Sequence, residues 1–364
     1  MAKLRVGFIG TGMIATQAHI PAWKAQAENA EIVAVADILE DRAKLVAQRE
    51  GIPHAYGDWR KMLEDVPLDV VVVSTPNAYH KEQSVAALKA GAHVLCEKPA
   101  AASHEEAVEM YEAANAAGRH LMIGQSARFM HRARAAKEMI DAGKLGEIYF
   151  AETTSMRRRG IPKWGQFHIK QHSVGGPVLD LGVHAIDMLY WLMGNPKVEA
   201  VSGATYTKIG NRDEAVITSD AESGAFEGVL TRRPYNWRDF DVEDMAAGFI
   251  RLAGGITIQL KTSWAANIPT NTSGTMILGT DAGLTLEPLT LVLNAGSYQA
   301  NMEIQVPDEP HGWFTGHYRE AAHLIKVIGG EEELLVRREE VLNVMRTLDA
   351  LYKSAAEARE VRVE

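Results

Sequence analysis

Over the first third of the chain, short apolar runs alternate with amphipathic stretches. Residues 4–9 (LRVGFI) form a compact, mostly apolar run, the pattern of a buried strand, and residues 14–27 follow with helical periodicity. Residues 31–36 (EIVAVA) read as a second strand, and residues 41–50 as a helix stopped by Gly51 with Pro53 beyond it. The run VVVVS at 70–74 is continuous and β-branched, which suits a central parallel strand buried on both faces. A helix over 79–90, a strand over 93–96, a helix over 105–117 and a strand over 121–124 complete the pattern. Strands alternating with helices of this length predict right-handed βαβ units and a doubly wound parallel sheet. After about residue 128 the rhythm changes. A helix over 131–142 is followed by runs of strand character at 148–156, 198–206, 214–221, 225–231, 244–250, 256–264, 275–279 and 284–293. One amphipathic helix, residues 177–193, interrupts them, and helices over 317–328 and 339–359 close the chain. The expectation is a Rossmann domain over 1–127 and an α+β domain over 128–364 with a mixed or antiparallel sheet.

The glycines fall where the first strand meets the first helix. Gly10-Thr-Gly12-Met13-Ile14-Ala15 is G-x-G-x-x-A. Gly10 permits a tight turn, Gly12 lets backbone approach a pyrophosphate, and Ala15 keeps helix and strand close. Phosphates then lie at the helix N-terminus, where free N–H groups and the macrodipole favour negative charge. Asp37 closes the second strand, 22 positions after Ala15. A carboxylate there accepts from the adenosine ribose hydroxyls and repels a 2′-phosphate, which favours NAD over NADP. Ser74, Thr75, Pro76, Asn77 and His80 follow the VVVVS strand at the carboxyl edge of the sheet, where open α/β sheets bind ligands. Cys96-Glu97-Lys98-Pro99 also follows a strand. From spacing alone Lys98 reads equally as a solvated loop lysine or as a proton donor and acceptor beside a nicotinamide cation. Asp180 and His184, at i,i+4 near the start of the 177–193 helix, read either as a helix-surface ion pair or as an acid/base pair.

Taken together and in this order, G-x-G-x-x-A, Glu97-Lys98-Pro99 and Asp180-x-x-x-His184 resemble the Gfo/Idh/MocA family of NAD(P)-dependent oxidoreductases. The resemblance covers nearly the whole chain. It implies a large open sheet in the second domain and hydride transfer between a sugar or cyclitol CH–OH and NAD. It also implies roles. Lys98 would sit by the nicotinamide and the reacting hydroxyl, and Asp180 would hold substrate. His184 would be the leading base, with Lys98 sharing or tuning that role. Glu97 would contact the cofactor ribose region or position Lys98, and Thr75, Asn77 and His80 would line the cofactor cleft. The segment 157–168 (RRRGIPKWGQFH) resembles a substrate-side loop of the family, with Arg158, Trp164 and His168 as sugar contacts. Its other reading is a surface loop packing its one tryptophan.

Composition narrows the partners. There are 38 Lys+Arg against 47 Asp+Glu, a net charge of −9, which argues against a nucleic-acid binder. No run approaches the ~18 apolar residues of a membrane helix, and glycines break the apolar N-terminal run, so no targeting segment or membrane contact is expected. The single cysteine, Cys96, excludes an intrachain disulfide framework and fits a cytoplasmic setting. His168, His172, Asp180 and His184 have the right chemistry for zinc, but the resemblance assigns two of them to catalysis, so no metal is expected. An open sheet with one bare face implies a homodimer or homotetramer. Two other activities share these motifs: a glycosidase-like or epimerising enzyme that oxidises only transiently, and a non-catalytic sugar or nucleotide sensor.

Overall fold

A computed structural model of the chain describes residues 2–213, 220–225 and 228–363. It divides into two units. The first comprises Met1–Ser126, Ala225–Arg233 and His311–Arg338; the second comprises Ala127–Gly224, Pro234–Pro310 and Glu339–Glu364.

The first unit is built on six strands: β1 (Leu4–Ile9), β2 (Ala30–Ala36), β3 (His54–Tyr56), β4 (Val70–Val73), β5 (His93–Glu97) and β6 (Leu121–Gly124). All pair in parallel in the order β3-β2-β1-β4-β5-β6. This is the Rossmann order, and its direction of winding switches between β1 and β4. The four valines of β4 are fully buried, as a strand covered on both faces requires. The connections are α1 (Ile20–Lys24), α2 (Glu40–Glu50), α3 (Trp59–Asp65), α4 (His80–Lys89) and α5 (His104–Ala117). The helix expected over 14–27 begins with a π-turn, Ala15–His19, before α1. The short elements β3 and α3 carry too few apolar positions to register as periodicity.

The second unit opens with α6 (His131–Asp141), β7 (Ile148–Met156), the short α7 (Lys170–Ser173) and α8 (Val183–Leu192). Then come β8 (Val198–Tyr206), β9 (Met245–Leu252), β10 (Thr257–Ser263), β11 (Thr272–Gly279), β12 (Ala282–Leu286), β13 (Leu289–Ala295) and β14 (Tyr298–Glu303). Helix α9 (Thr315–Ile328) belongs to the first unit, and α10 (Arg338–Glu357) and β15 (Val361–Arg362) end the chain. The sheet has nine strands in the order β14-β13-β12-β11-β7-β10-β9-β8-β15. Only the β7–β10 pairing is parallel. Leu351 of α10 packs at Gly203 of β8 and Gly248 of β9, so α10 covers one face. On the opposite face Phe249, Tyr206 and Val292 are exposed.

Two strand expectations fail. The single strand over 284–293 is the hairpin β12–β13, turned at Glu287-Pro288, where proline has no N–H to give a ladder. In the stretch expected as strand over 225–231, the described residues form none, and residues 226–227 lie outside the description. Of the strand expected over 214–221, residues 214–219 also lie outside it, and Ala221–Ser223 is a 3-10 turn. Among the described residues no helix is long and apolar enough to cross a membrane.

The second unit's helices are tied by one buried cation. Arg128 has no exposed side-chain surface. Its Nε and Nη2 grip Asp187 of α8 at 2.8 and 2.6 Å, and Nη1 donates to Glu340 of α10. Removing one partner of such a pair strands the other charge in the interior, which costs about 3–5 kcal/mol. Arg128→Met is therefore expected to lower the unfolding free energy of the chain by about that amount. Chemical denaturation checks this, and a loss under about 1 kcal/mol would show the pair to be dispensable.

Candidate active site

In the first unit the glycine turn is demanded by both conformation and space. Gly10 has φ +94°, and a Cβ there would lie 2.7 Å from the Ser74 carbonyl oxygen. A Cβ on Gly12 would meet nothing within 4 Å. The bare backbone of Gly12 thus borders open space just ahead of the π-turn, which is the cradle a pyrophosphate needs. Ser74 Oγ donates to the Gly10 carbonyl at 3.0 Å and ties the end of β4 to this turn. Asp37, buried at the end of β2, stands where the ribose-binding carboxylate is expected. Its oxygens already accept from Thr11 N and Oγ1 at 2.8 Å, from Leu39 N at 2.9 Å, and from Arg42 at 2.7–3.0 Å. That set fills the carboxylate's lone-pair directions. Asp37 therefore holds the turn together, and a ribose hydroxyl would have to displace Arg42 to reach it.

His80 departs from the expectation of a cleft-lining residue. It is fully buried, with Nδ1 2.7 Å from the Pro99 carbonyl and Nε2 2.8 Å from the Thr75 carbonyl. It braces the loop after β4 against the loop after β5. Glu97 is also turned inward. Its Oε1 is 2.7 Å from His19 Nε2, and its Oε2 accepts the Lys98 backbone N–H at 3.1 Å. Burial opposes its charge, but the His19 hydrogen bond and the field of His19, His317 and Lys98 outweigh it and hold the carboxyl at about 2. Of the two roles expected for Glu97, this geometry favours fixing the peptide of Lys98 over touching the ribose. Lys98 itself is half-buried at the carboxyl end of β5. Cys96 is buried, and burial pushes its thiol well above the ordinary range, so it is a quiet strand residue.

In the second unit Asp180 lies in a π-turn, Val178–Gly182, that leads into α8, with His184 in the first turn of α8. Both are half-buried. Such wide turns recur at functional sites because they redirect one side chain without ending a helix. The turn is seated by residues the sequence did not flag. Glu243 accepts from Val178 N at 3.0 Å and from the Tyr352 hydroxyl at 2.9 Å. The Gly175-Gly176 pair leaves room for this, since a Cβ on Gly176 would collide with the Glu243 carbonyl and one on Gly175 with Tyr352. Trp264, fully buried just past β10, donates its indole N–H to Asp180 Oδ2 at 2.8 Å. A strand ending in a large side chain with one donor was the available signal for it.

The 157–168 loop packs around Trp264 and does not present its aromatics outward. Ile161, Phe240, Val242, Trp264 and Ala265 form a buried cluster with Phe167 and Tyr235 against it. Trp164 is 7% exposed, donates to Ser223 Oγ at 3.0 Å and meets Phe167 edge-on at 4.8 Å. His168 is 1% exposed and lies against Tyr235 at 4.6 Å. Both are buried within this unit and serve as packing residues. Arg157 is half-buried, and burial lowers its pKa against the opposing pull of Asp180. Arg158 keeps an exposed side chain and donates to the Pro269 carbonyl at 3.1 Å.

Comparison with known proteins agrees with this arrangement. Residues 4–125 match the family model described as "Oxidoreductase family, NAD-binding Rossmann fold", and residues 137–363 that described as "Oxidoreductase family, C-terminal alpha/beta domain". D-glucoside 3-dehydrogenase of Escherichia coli K12 is 31% identical over 356 residues, 97% of this chain and 96% of the relative. Levoglucosan dehydrogenase of Pseudarthrobacter phenanthrenivorans is 30% identical over 271 residues, 70% of this chain and 66% of the relative. A solved structure of a levoglucosan dehydrogenase in complex with NADH and L-sorbose superposes with a TM-score of 0.82 at 25% identity, covering 100% of both chains. With a glycine turn built for a dinucleotide in the first unit, and both of the family's domains matched in order, the chain belongs to the Gfo/Idh/MocA family of NAD-dependent oxidoreductases.

Proposed function

We propose that the protein oxidises a secondary alcohol or hemiacetal of a sugar or cyclitol. The observation that carries this reading is the pairing of Asp180 with Trp264. An indole N–H at 2.8 Å fixes the direction of a half-buried carboxylate one turn ahead of a half-buried imidazole. A helix-surface ion pair would need no such buried donor. Bound NAD supplies the hydride acceptor. Gly10, Gly12, Met13 and Ile14 hold its phosphates, and Ser74, Thr75, Pro76 and Asn77 bound the same edge. Asp180 orients the substrate hydroxyl. His184 takes the hydroxyl proton, with Lys98 sharing or tuning that role, and Arg158 is the remaining substrate-side contact of its loop. The named substrates of the relatives, a D-glucoside and levoglucosan, support the sugar class. We take the setting to be the cytoplasm, where a chain with one cysteine needs no disulfide.

A panel of sugars and polyols with NAD and with NADP tests this. NADH is expected to accumulate with substrate turnover; conversion without NADH release would instead mean transient oxidation. Lys98→Ala and His184→Ala are each expected to cut kcat roughly 100-fold or more with NAD binding nearly unchanged. Wild-type rates in both would overturn the assignment. Trp264→Phe keeps the packing but removes the donor to Asp180. A hydrogen bond to a charged group is worth about 1.5–3 kcal/mol, so a loss of roughly 10–100-fold in turnover is expected with the fold retained. The exposed sheet face bearing Phe249, Tyr206 and Val292 is proposed as the contact of a homodimer or homotetramer. Light scattering is expected to give a mass of two or four chains, and Phe249→Asp to reduce it.

A further inference from the structure

We propose that His19, Glu97 and His317, with the buried carboxyl of Glu320 beside them, form a binding site for a divalent transition-metal ion of the zinc class. The four come from three distant parts of the chain, all within the first unit: the π-turn after the glycine motif, the end of β5, and α9. The sequence-based expectation of no metal weighed only His168, His172, Asp180 and His184, and nothing in spacing links residues 19, 97 and 317.

The donor atoms converge. His19 Nε2 lies 2.7 Å from Glu97 Oε1, and His317 Nε2 lies 3.9 Å from the same oxygen. One ligand atom from each of the three residues falls within 4.8 Å of the others. Zn–N bonds near 2.0–2.1 Å and Zn–O near 2.0–2.2 Å put the ligand atoms of a tetrahedral site roughly 3.3 Å apart. The two observed separations bracket that value, so shifts of about half an ångström would seat the ion. The two imidazoles meet at 88° with centroids 5.1 Å apart.

Glu320 supplies the independent observation. It is fully buried, and neither carboxyl oxygen has a hydrogen-bond partner among the described residues. It stands at i,i+3 from His317 on α9, on the same helix face, and within electrostatic reach of Glu97. A carboxyl group carried into the interior without a donor is costly, and a cation beside it removes that cost. The donor set selects the ion. Two imidazoles with a carboxylate suit zinc and its neighbours, whereas calcium and magnesium want oxygen throughout. The neighbouring Cys96 Sγ points to backbone carbonyls and adds no thiolate. The site is closed, so the ion is structural. It would fasten α9 and the first π-turn to the end of β5, whose Glu97 also holds the Lys98 peptide.

The test uses the full-length protein, freed of metal with a chelator and then titrated with Zn²⁺, and with Co²⁺ as a spectroscopic probe. One ion per chain is expected, with the intense visible bands of tetrahedral Co²⁺ and a rise in Tm on adding Zn²⁺. His317→Ala is expected to weaken binding about 100-fold, and Glu320→Gln, which keeps the shape and leaves folding least disturbed, at least about 10-fold. His54→Ala, an exposed histidine on β3, is expected to bind as the wild type does. No stoichiometric binding, or equal binding by the His317 and Glu320 variants and the wild type, would overturn the site. The cluster would then be a hydrogen-bonded network alone. These readouts do not involve turnover, so their outcome is independent of the proposed reaction.

Discussion

A guanidinium cannot shed its charge, so burying Arg128 obliges the chain around it to supply carboxylates. Asp187 and Glu340 do so, one from α8 and one from the first turn of α10. The requirement fixes how these helices lie on the nine-stranded sheet. Once α8 is fixed at Asp187, the turn before it is fixed as well, and with it the directions of Asp180 and His184. Trp264 then completes the arrangement from beneath, and Glu243 accepts the buried Val178 N–H at the start of the turn. Buried pairs of this kind add little to stability when compared with an apolar replacement, but they penalise any other packing. What Arg128 contributes is the helix placement on which the positions of Asp180 and His184 depend.

The first unit solves a related problem with polar side chains turned inward at the carboxyl edge of its sheet. Loops there must hold a dinucleotide, so their backbones cannot be buried by apolar packing. Asp37, Ser74 and His80 instead pin them to backbone groups of a neighbouring loop or turn, and Glu97 holds the peptide of its own loop at Lys98. Both π-turns, one after the glycine motif and one before α8, fall where a helix begins beside chemistry.

Much of this was legible in the chain itself. The alternation of VVVVS-type runs with amphipathic stretches named the parallel sheet, because strand and helix periodicities are local. Gly10, Gly12 and Asp37 declared the dinucleotide turn, and Glu97-Lys98-Pro99 with Asp180 and His184 declared the family. The fates of several polar and aromatic residues were not legible. Trp164 and His168 look like sugar contacts in a loop rich in arginine, yet both are buried, one against Phe167 and the other against Tyr235. His80 follows a strand at the binding edge, yet its ring is spent on two carbonyls. The hairpin at Glu287-Pro288 was hidden within one apolar run because both of its strands share the same composition.

The sequence by itself determined the order of elements, the parallel sheet of the first unit, the glycine turn and the family, since each is written in residues near one another in the chain. The tertiary structure alone decided which polar groups are buried and what they face. Residues 19, 97 and 317 meet only because β5, the first π-turn and α9 pack together, and Asp180 meets Trp264 only because the strand β10 runs beneath its turn. Burial and pairing are properties of contacts between distant segments. Spacing along the chain carries no record of them.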